Sequence, residues 1–342
     1  MQDLFRRIAG GRPAPQDQPP APAGGRAVPG APFSRDELPA LLGERPGLAE
    51  FVAGRGDAVS EEFGVLPLVE AGVWLTLLGD ADRAARAFRA AAGALLPQAA
   101  LDATDALAQA RRESLPVEAG AKTGAFLALA GDAGEAERVW RRCVSLYEPL
   151  AGAAGAAGAA GAASETAARV WQTWEARVRE IERGGGDAAR APEDEALDPA
   201  KLGRICVHLA YAWLRLGEPA PARSLLDVEA ALRAAAPDAK LKRYYGDSLF
   251  LADSLAEVLR GVVAQPAGPA GPAGPAGPAG KGTRSLETAI RAYLKTRHPE
   301  AQALTLDLQR AFPERMPALL PPADLTDALS ARARKRLEEA RR

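Results

Sequence analysis

The sequence predicts an all-α fold, an α-solenoid or right-handed superhelix of helix pairs carrying low-complexity inserts. Three observations lead there. The stretch from Gly72 to Ala91 reads as two short helices joined at a Gly-Asp turn, and its layout returns from Gly124 to Cys143 and from Ala210 to Leu226. Apolar residues recur at helical spacing, and no run alternates convincingly enough to be a strand. Hydrophobic residues make up 47% of the chain but aromatics only 5%, because alanine supplies much of the total. Alanine favours helix and buries little area, so a core built from it needs helix axes that approach closely.

At the start of the chain, residues 1–33 are rich in Pro, Gly and Ala and hold too little apolar surface to offset chain entropy, which predicts a disordered tail. Leu4, Phe5 and Ile8, beside Arg6 and Arg7, form a small apolar cluster that reads either as a docking peptide on a tether or as a frayed terminus. A helical repeat domain is expected over 34–263. Ser34 with Glu37 matches a capping box for a short helix through Leu42, and Pro46 starts another towards Phe51. Arg35, Asp36, Glu37 and Glu44 suit the polar outer face that a solenoid needs at its end.

The first repeat opens with an apolar helix, Leu66 to Leu78, broken by Gly79-Asp80. In the helix that follows, Ala84, Ala87, Phe88 and Ala91 fall at i, i+3, i+4 and i+7, placing small residues and one aromatic knob on a single face. The second copy runs from Gly124 to Gly131-Asp132 and on through Ala136, Val139, Trp140 and Cys143, and Gly72 and Gly124 each precede their turn glycine by seven residues. The third runs from Ala210 to Gly217-Glu218, then Ala222, Leu225 and Leu226. A weaker fourth, Ala292 to Pro299 followed by Leu304 and Leu308, lacks the turn glycine.

These residues resemble the tetratricopeptide repeat: a small residue in the first helix (Gly72, Gly124), Gly-Asp at the turn (Gly79-Asp80, Gly131-Asp132), alanine then an aromatic in the second (Ala84 and Phe88, Ala136 and Trp140), and a late proline (Pro97, Pro149). The spacing departs from that family, whose period is about 34 residues. Gly79 and Gly131 are 52 residues apart, which leaves room for a third helix such as Pro97 to Arg112. The step to Gly217 is 86 residues and contains two inserts, 151–163 and 184–199, read as flexible surface connections flanking a helix from Ser164 to Arg183. The resemblance implies helix pairs whose first helices line a concave groove.

Residues 264–282 contain five consecutive Pro-Ala-Gly triplets and read as a solvated linker, since a collagen helix needs three chains and far more triplets. Beyond it, 283–342 is expected to add C-terminal helices that continue the repeat domain. Helices at Ser285–Leu294 and Glu300–Ala311 precede a proline-rich break, and Asp324 can cap a last helix bearing Arg332, Arg334, Lys335 and Arg336. Cations there complement the helix dipole.

Chemistry motifs are missing. The two histidines, His208 and His298, are ninety residues apart, no metal-ligand spacing occurs, and no glycine-rich phosphate loop follows a strand. Cys143 and Cys206 sit inside apolar helical patterns without CxxC spacing and are expected to be buried thiols. A net charge of −1 gives no bulk attraction to nucleic acid or membrane. No secretory h-region and no membrane-length apolar run is found, so a cytoplasmic protein without cofactor, metal or catalytic residues is expected.

The candidate surface lies on the helix from Lys201 to Leu216. Arg204, His208, Tyr211 and Arg215 follow i, i+4, i+7 and i+11 spacing beside an apolar face of Ile205, Leu209, Ala212 and Leu216. Lys122 occupies the offset matching His208, nine residues ahead of its turn glycine. This stripe reads either as a solvated face or as a cationic, aromatic groove for an acidic peptide. The carboxylate clamp that the resemblance implies uses lysine and asparagine, and the chain has no asparagine. The expected function is therefore a non-enzymatic interaction scaffold or adaptor for another protein, the alternative being a nucleic-acid-associated factor using the basic C-terminal helix.

Overall fold

A computed structural model describes residues 65–77, 81–99, 105, 110, 114–155, 160–183, 198–249, 251–264, 286–296 and 298–316. Among them are eleven helices and no strand. The expectations for the tail and its peptide Leu4, Phe5 and Ile8, for the two capping helices, for the Gly79-Asp80 turn, for most of the third helix after Pro97, for the Pro-Ala-Gly linker and for the final basic helix lie outside the described residues.

Three helix pairs form the body. The first is α1 (Val65–Leu77) with α2 (Ala81–Ala99), the second α3 (Leu115–Leu129) with α4 (Ala133–Gly155). After α5 (Ala160–Glu182) comes the third, α6 (Pro199–Arg215) with α7 (Pro219–Ala234). Then follow α8 (Ala239–Leu249), α9 (Leu251–Ala264), α10 (Leu286–Lys295) and α11 (Pro299–Ala311). Within each pair the helices pack on each other; α2 also packs on α3, α4 on α6, and α6 on α3.

Local signals explain the turns. Helix α3 ends at Ala130, and Gly131 takes φ +88 so that its N–H reaches Ala128 O at 3.1 Å while Asp132 N–H reaches Leu127 O at 2.9 Å. Gly217, at φ +83, repeats the arrangement with Leu214 O and Trp213 O. Such paired bonds satisfy carbonyls that the helix end orphans, and only glycine enters that conformation without a Cβ penalty. Asp198 caps α6 by accepting from Ala200 N–H at 2.8 Å, with Pro199 at the first helical position.

Small residues of the helix pairs are contact points. A Cβ built on Gly72 falls 2.8 Å from the Phe88 ring, and one on Gly124 collides with the indole of Trp140, whose Nε1–H donates to Ala121 O at 3.1 Å. Gly72 and Gly124 thus each receive the aromatic knob of their own second helix, whereas Gly120 of α3 meets Cys143 and Gly203 of α6 meets Tyr245 of α8. Phe88 stacks on Phe126 of the next pair at 6.2 Å between centroids, and Trp140 meets Tyr211 edge-on at 6.5 Å, so aromatic contacts also link successive pairs.

The structure changes two expectations. The Gly-Ala run 151–163 is not simply a flexible connection: α4 continues to Gly155 and α5 begins at Ala160. Two alanines per glycine sustain a helix already nucleated by flanking sequence, because each glycine costs only about 1 kcal/mol against alanine. Helix α6 likewise begins inside the second insert, at Pro199. The described C-terminal helices pack by two routes: α10 lies on α9, whereas α11 turns back onto α1 and α3.

Candidate functional site

Helix α3 has almost no polar face. Its sequence, LPVEAGAKTGAFLAL, is buried on most sides, and among its charged residues are only Glu118 and Lys122, one turn apart. Helix α6 lies against it with Arg204 and His208 on the adjoining side. The sequence-predicted stripe is thus assembled across two helices: Arg204 lies 3.6 Å from Glu118, and Lys122 is among the charges acting on His208.

The stripe faces inward. His208 is 4% exposed and Tyr211 1%, while the side chains of Lys122 and Arg215 retain 14% and 16%. What meets them belongs to the chain itself. Lys122 Nζ lies 2.9 Å from Glu300 and 3.4 Å from Glu118, and Glu118 accepts from Ser114 Oγ at 2.6 Å. Arg215 Nε lies 2.7 Å from Asp307 Oδ2 and its guanidinium sits 4.6 Å above the Trp140 ring, while the Tyr211 hydroxyl donates to the same Asp307. Arg204 donates to Ser248 O, and His208 Nδ1 lies 2.9 Å from Arg204 O.

Glu300 and Asp307 both belong to α11, seven residues apart and therefore on one face. Contacts run in register: Glu118 with Arg204, Lys122 with Glu300, Tyr211 and Arg215 with Asp307, and Arg310 Nη1 with Leu129 O at 3.1 Å. Hence α3, α6 and α11 run in the same direction. Three cations, Lys122, Arg204 and Arg215, meet three carboxylates, Glu118, Glu300 and Asp307. The alternative of a solvated stripe does not describe this face, and an acidic helix already stands where a partner's acidic peptide was expected.

The electrostatics follow from burial. Burial alone raises the Glu118 carboxyl, but Lys122, His208, Ser114 and Arg204 outweigh it and bring it down to about 2. Lys122, which burial alone lowers, is raised by Glu300 and Glu118. His208 is lowered by burial, against the pull of Glu118. Asp307 is raised by burial, which Arg215 and Tyr211 oppose without cancelling, and burial next to Asp307 pushes the Tyr211 hydroxyl well above its usual range. Buried ion pairs of this kind contribute little net stability but make the removal of one partner costly, and they fix which helix docks and in what register.

Glu118, Glu300 and Asp307 were missed from sequence. Glu118 stands at i−4 from Lys122, a spacing that signals an ion pair; Glu300 and Asp307 share a face of α11, but nothing local says what that face meets. A second buried network joins Glu229 of α7 to Arg233 at 3.0 Å and to Arg260 of α9. Cys143 and Cys206 are buried free thiols. Among the described residues no group of His, Cys, Asp and Glu is arranged to hold a metal ion, and no helix is long and apolar enough to cross a membrane. No protein-family model, curated protein or solved structure matches the chain.

Proposed function

We propose that the chain is a non-enzymatic interaction scaffold, built from tetratricopeptide-like helix pairs in a short solenoid, whose first helices present a cationic and aromatic face to an acidic helix of a partner protein. The observation that carries this reading is the coupling of Lys122 on α3 with Tyr211 and Arg215 on α6 to two carboxylates of a single helix. Such a face discriminates by charge position, because a helix without matching carboxylates leaves cations desolvated and unpaired. The resemblance in the turn and knob residues supports the architecture, and near-zero net charge favours a protein partner over nucleic acid.

The test is capture from cell extract by the immobilised full chain, washed at two salt concentrations, with protein and nucleic acid both measured. Apolar contacts survive salt far better than phosphate contacts. Protein retained at high salt, and lost with a correctly folded Arg204→Glu variant, is the expected result. Arg204 is the most exposed cation of the stripe, at 30%, but Arg204→Glu would face Glu118 as Arg215→Glu would face buried Asp307, so the variant counts only where its helix content and denaturation midpoint match wild type. Nucleic acid retained at low salt and released at high salt would instead favour the basic C-terminal helix as the binding element, and undiminished capture by Arg204→Glu would remove the stripe from the site.

A further inference from the structure

Helix α11 has an unusual place. It follows α10 in sequence yet packs mainly on α1 and α3, and every residue from Ala301 to Leu308 is buried. Its polar grip is the pair Glu300 and Asp307, reinforced by Arg310 on the carbonyl of Leu129. Against that, Gln302 is fully buried and neither atom of its amide has a hydrogen-bond partner. A buried amide with both ends unmet opposes docking. As an occupant of this face, α11 therefore carries the right charges and one wrong group.

The chain that delivers α10 and α11 is far longer than its route requires. A Cβ on Gly261 of α9 would lie 2.9 Å from Leu286 Cβ, so the end of α9 and the start of α10 are in contact. Adjacent antiparallel helices are joined by about 2–5 residues. Here residues 265–285 make the connection. Extra length of this sort adds little loop-closure cost.

We propose that α11 is a tethered resting occupant of the α1, α3 and α6 face, and that the partner is a helix bearing two carboxylates seven residues apart among small and apolar residues, which takes α11's place. This rests on the scaffold reading above. Its carboxylates meet Lys122 at one end and Tyr211 with Arg215 at the other, and residues like Ala301, Ala303 and Leu304 fill the apolar remainder. Because α11 is tethered, it competes at an effective concentration on the order of millimolar. A free ligand's apparent affinity is then reduced by the fraction of chains whose face is open. Competition of this kind makes the scaffold selective: a helix with one carboxylate, or with carboxylates at another spacing, does not outbid a resident that already pairs both ends.

The probe is a labelled synthetic peptide of residues 298–312, whose Glu300 and Asp307 are native, titrated into the full-length chain and into the full-length chain carrying Glu300→Lys and Asp307→Lys. Those changes set lysines against Lys122 and Arg215 and eject the resident helix. Supporting the proposal, the variant binds the native peptide at least tenfold more tightly than the wild-type chain does, and a peptide with the two lysines binds neither. Native-state hydrogen exchange on the wild-type chain stands independently of whether the variant folds. Amides of Leu304 to Leu308 exchanging at least tenfold faster than those of Ala121 to Phe126 in α3 are expected. Equal protection of α11 and α3, or no gain in peptide affinity by a folded variant, overturns the proposal and makes α11 a permanent part of the core. The extract experiment separates the two ideas, because loss of all protein capture with exchange and peptide results intact refutes the scaffold reading alone.

Discussion

Gly124→Ala tests the packing logic of the helix pairs with one methyl group. In a solvated helix the change is favourable by about 1 kcal/mol, because alanine loses less backbone freedom than glycine. Here the new Cβ would stand 2.6 Å from Trp140 Cδ1, and closer still to other indole atoms, inside a contact that no ring tolerates. Trp140 is 3% exposed and wedged between α3 and Tyr211, so it cannot swing into solvent. Overfilling such a contact costs about 1–3 kcal/mol. Displacing the ring also breaks its 3.1 Å bond to Ala121 O, and a buried donor left unpaired costs about 1–3 kcal/mol more. Set against the propensity gain, the net destabilisation is about 1–5 kcal/mol. Gly93→Ala and Gly246→Ala are the controls: both glycines are helical and a Cβ on either meets nothing within 4 Å, so each variant should be unchanged or more stable by up to about 1 kcal/mol. Guanidinium denaturation followed by far-UV circular dichroism measures all three. A Gly124→Ala midpoint at or above wild type, with the controls behaving as stated, would refute the claim that Gly124 is the seat of Trp140.

Three further outcomes follow from the same geometry. Ala136→Leu, at a position 0% exposed, should destabilise by about 1–3 kcal/mol through overpacking, and an unchanged denaturation midpoint would mean that α4 sits elsewhere. Acid should weaken the fold from near neutrality: burial holds His208 below its ordinary 6.5, and the Lys122-dominated surroundings hold Glu118 near 2 against an ordinary 4.5. Both groups then take up protons more readily unfolded than folded. Their contribution is present above those ordinary values and is lost as pH falls below 6.5 for His208, and between 4.5 and about 2 for Glu118, while raised Asp307 acts with the opposite sign. A fall in midpoint from pH 7 to pH 5 that is the same in wild type and in a folded His208→Gln variant would contradict the placement of His208. Finally, burial pushes the Cys143 thiol up to about 12 and Cys206 higher, so a thiol reagent at pH 8 should modify the native chain only as fast as it opens, and immediate labelling of either cysteine would place it at the surface.

The helix pairs, and their turns at Gly131 and Gly217, were legible because the signals are short in range. A glycine seven residues past a small residue, and an alanine and an aromatic a fixed step further on, each act through bonds and contacts that the sequence places within about one or two helical turns. The stripe residues were legible too, as a face of α6 and a matching position on α3. Which way the stripe looks was not. Arg204, His208, Tyr211 and Arg215 carry the same spacing whether they meet water or carboxylates. Their acidic counterparts arrive from helices far along the chain, Asp307 standing 96 residues beyond Tyr211, and Arg310 reaches a carbonyl 181 residues before it. The Gly-Ala run misled for a related reason, since its composition suits a loop while the helices on either side supply the nucleus that lets its alanines extend them. Periodicity fixes a residue's angle around its own helix. Only tertiary packing decides what stands opposite, because the pairing of charges in a low-dielectric interior depends on distances between chain segments that no local pattern records.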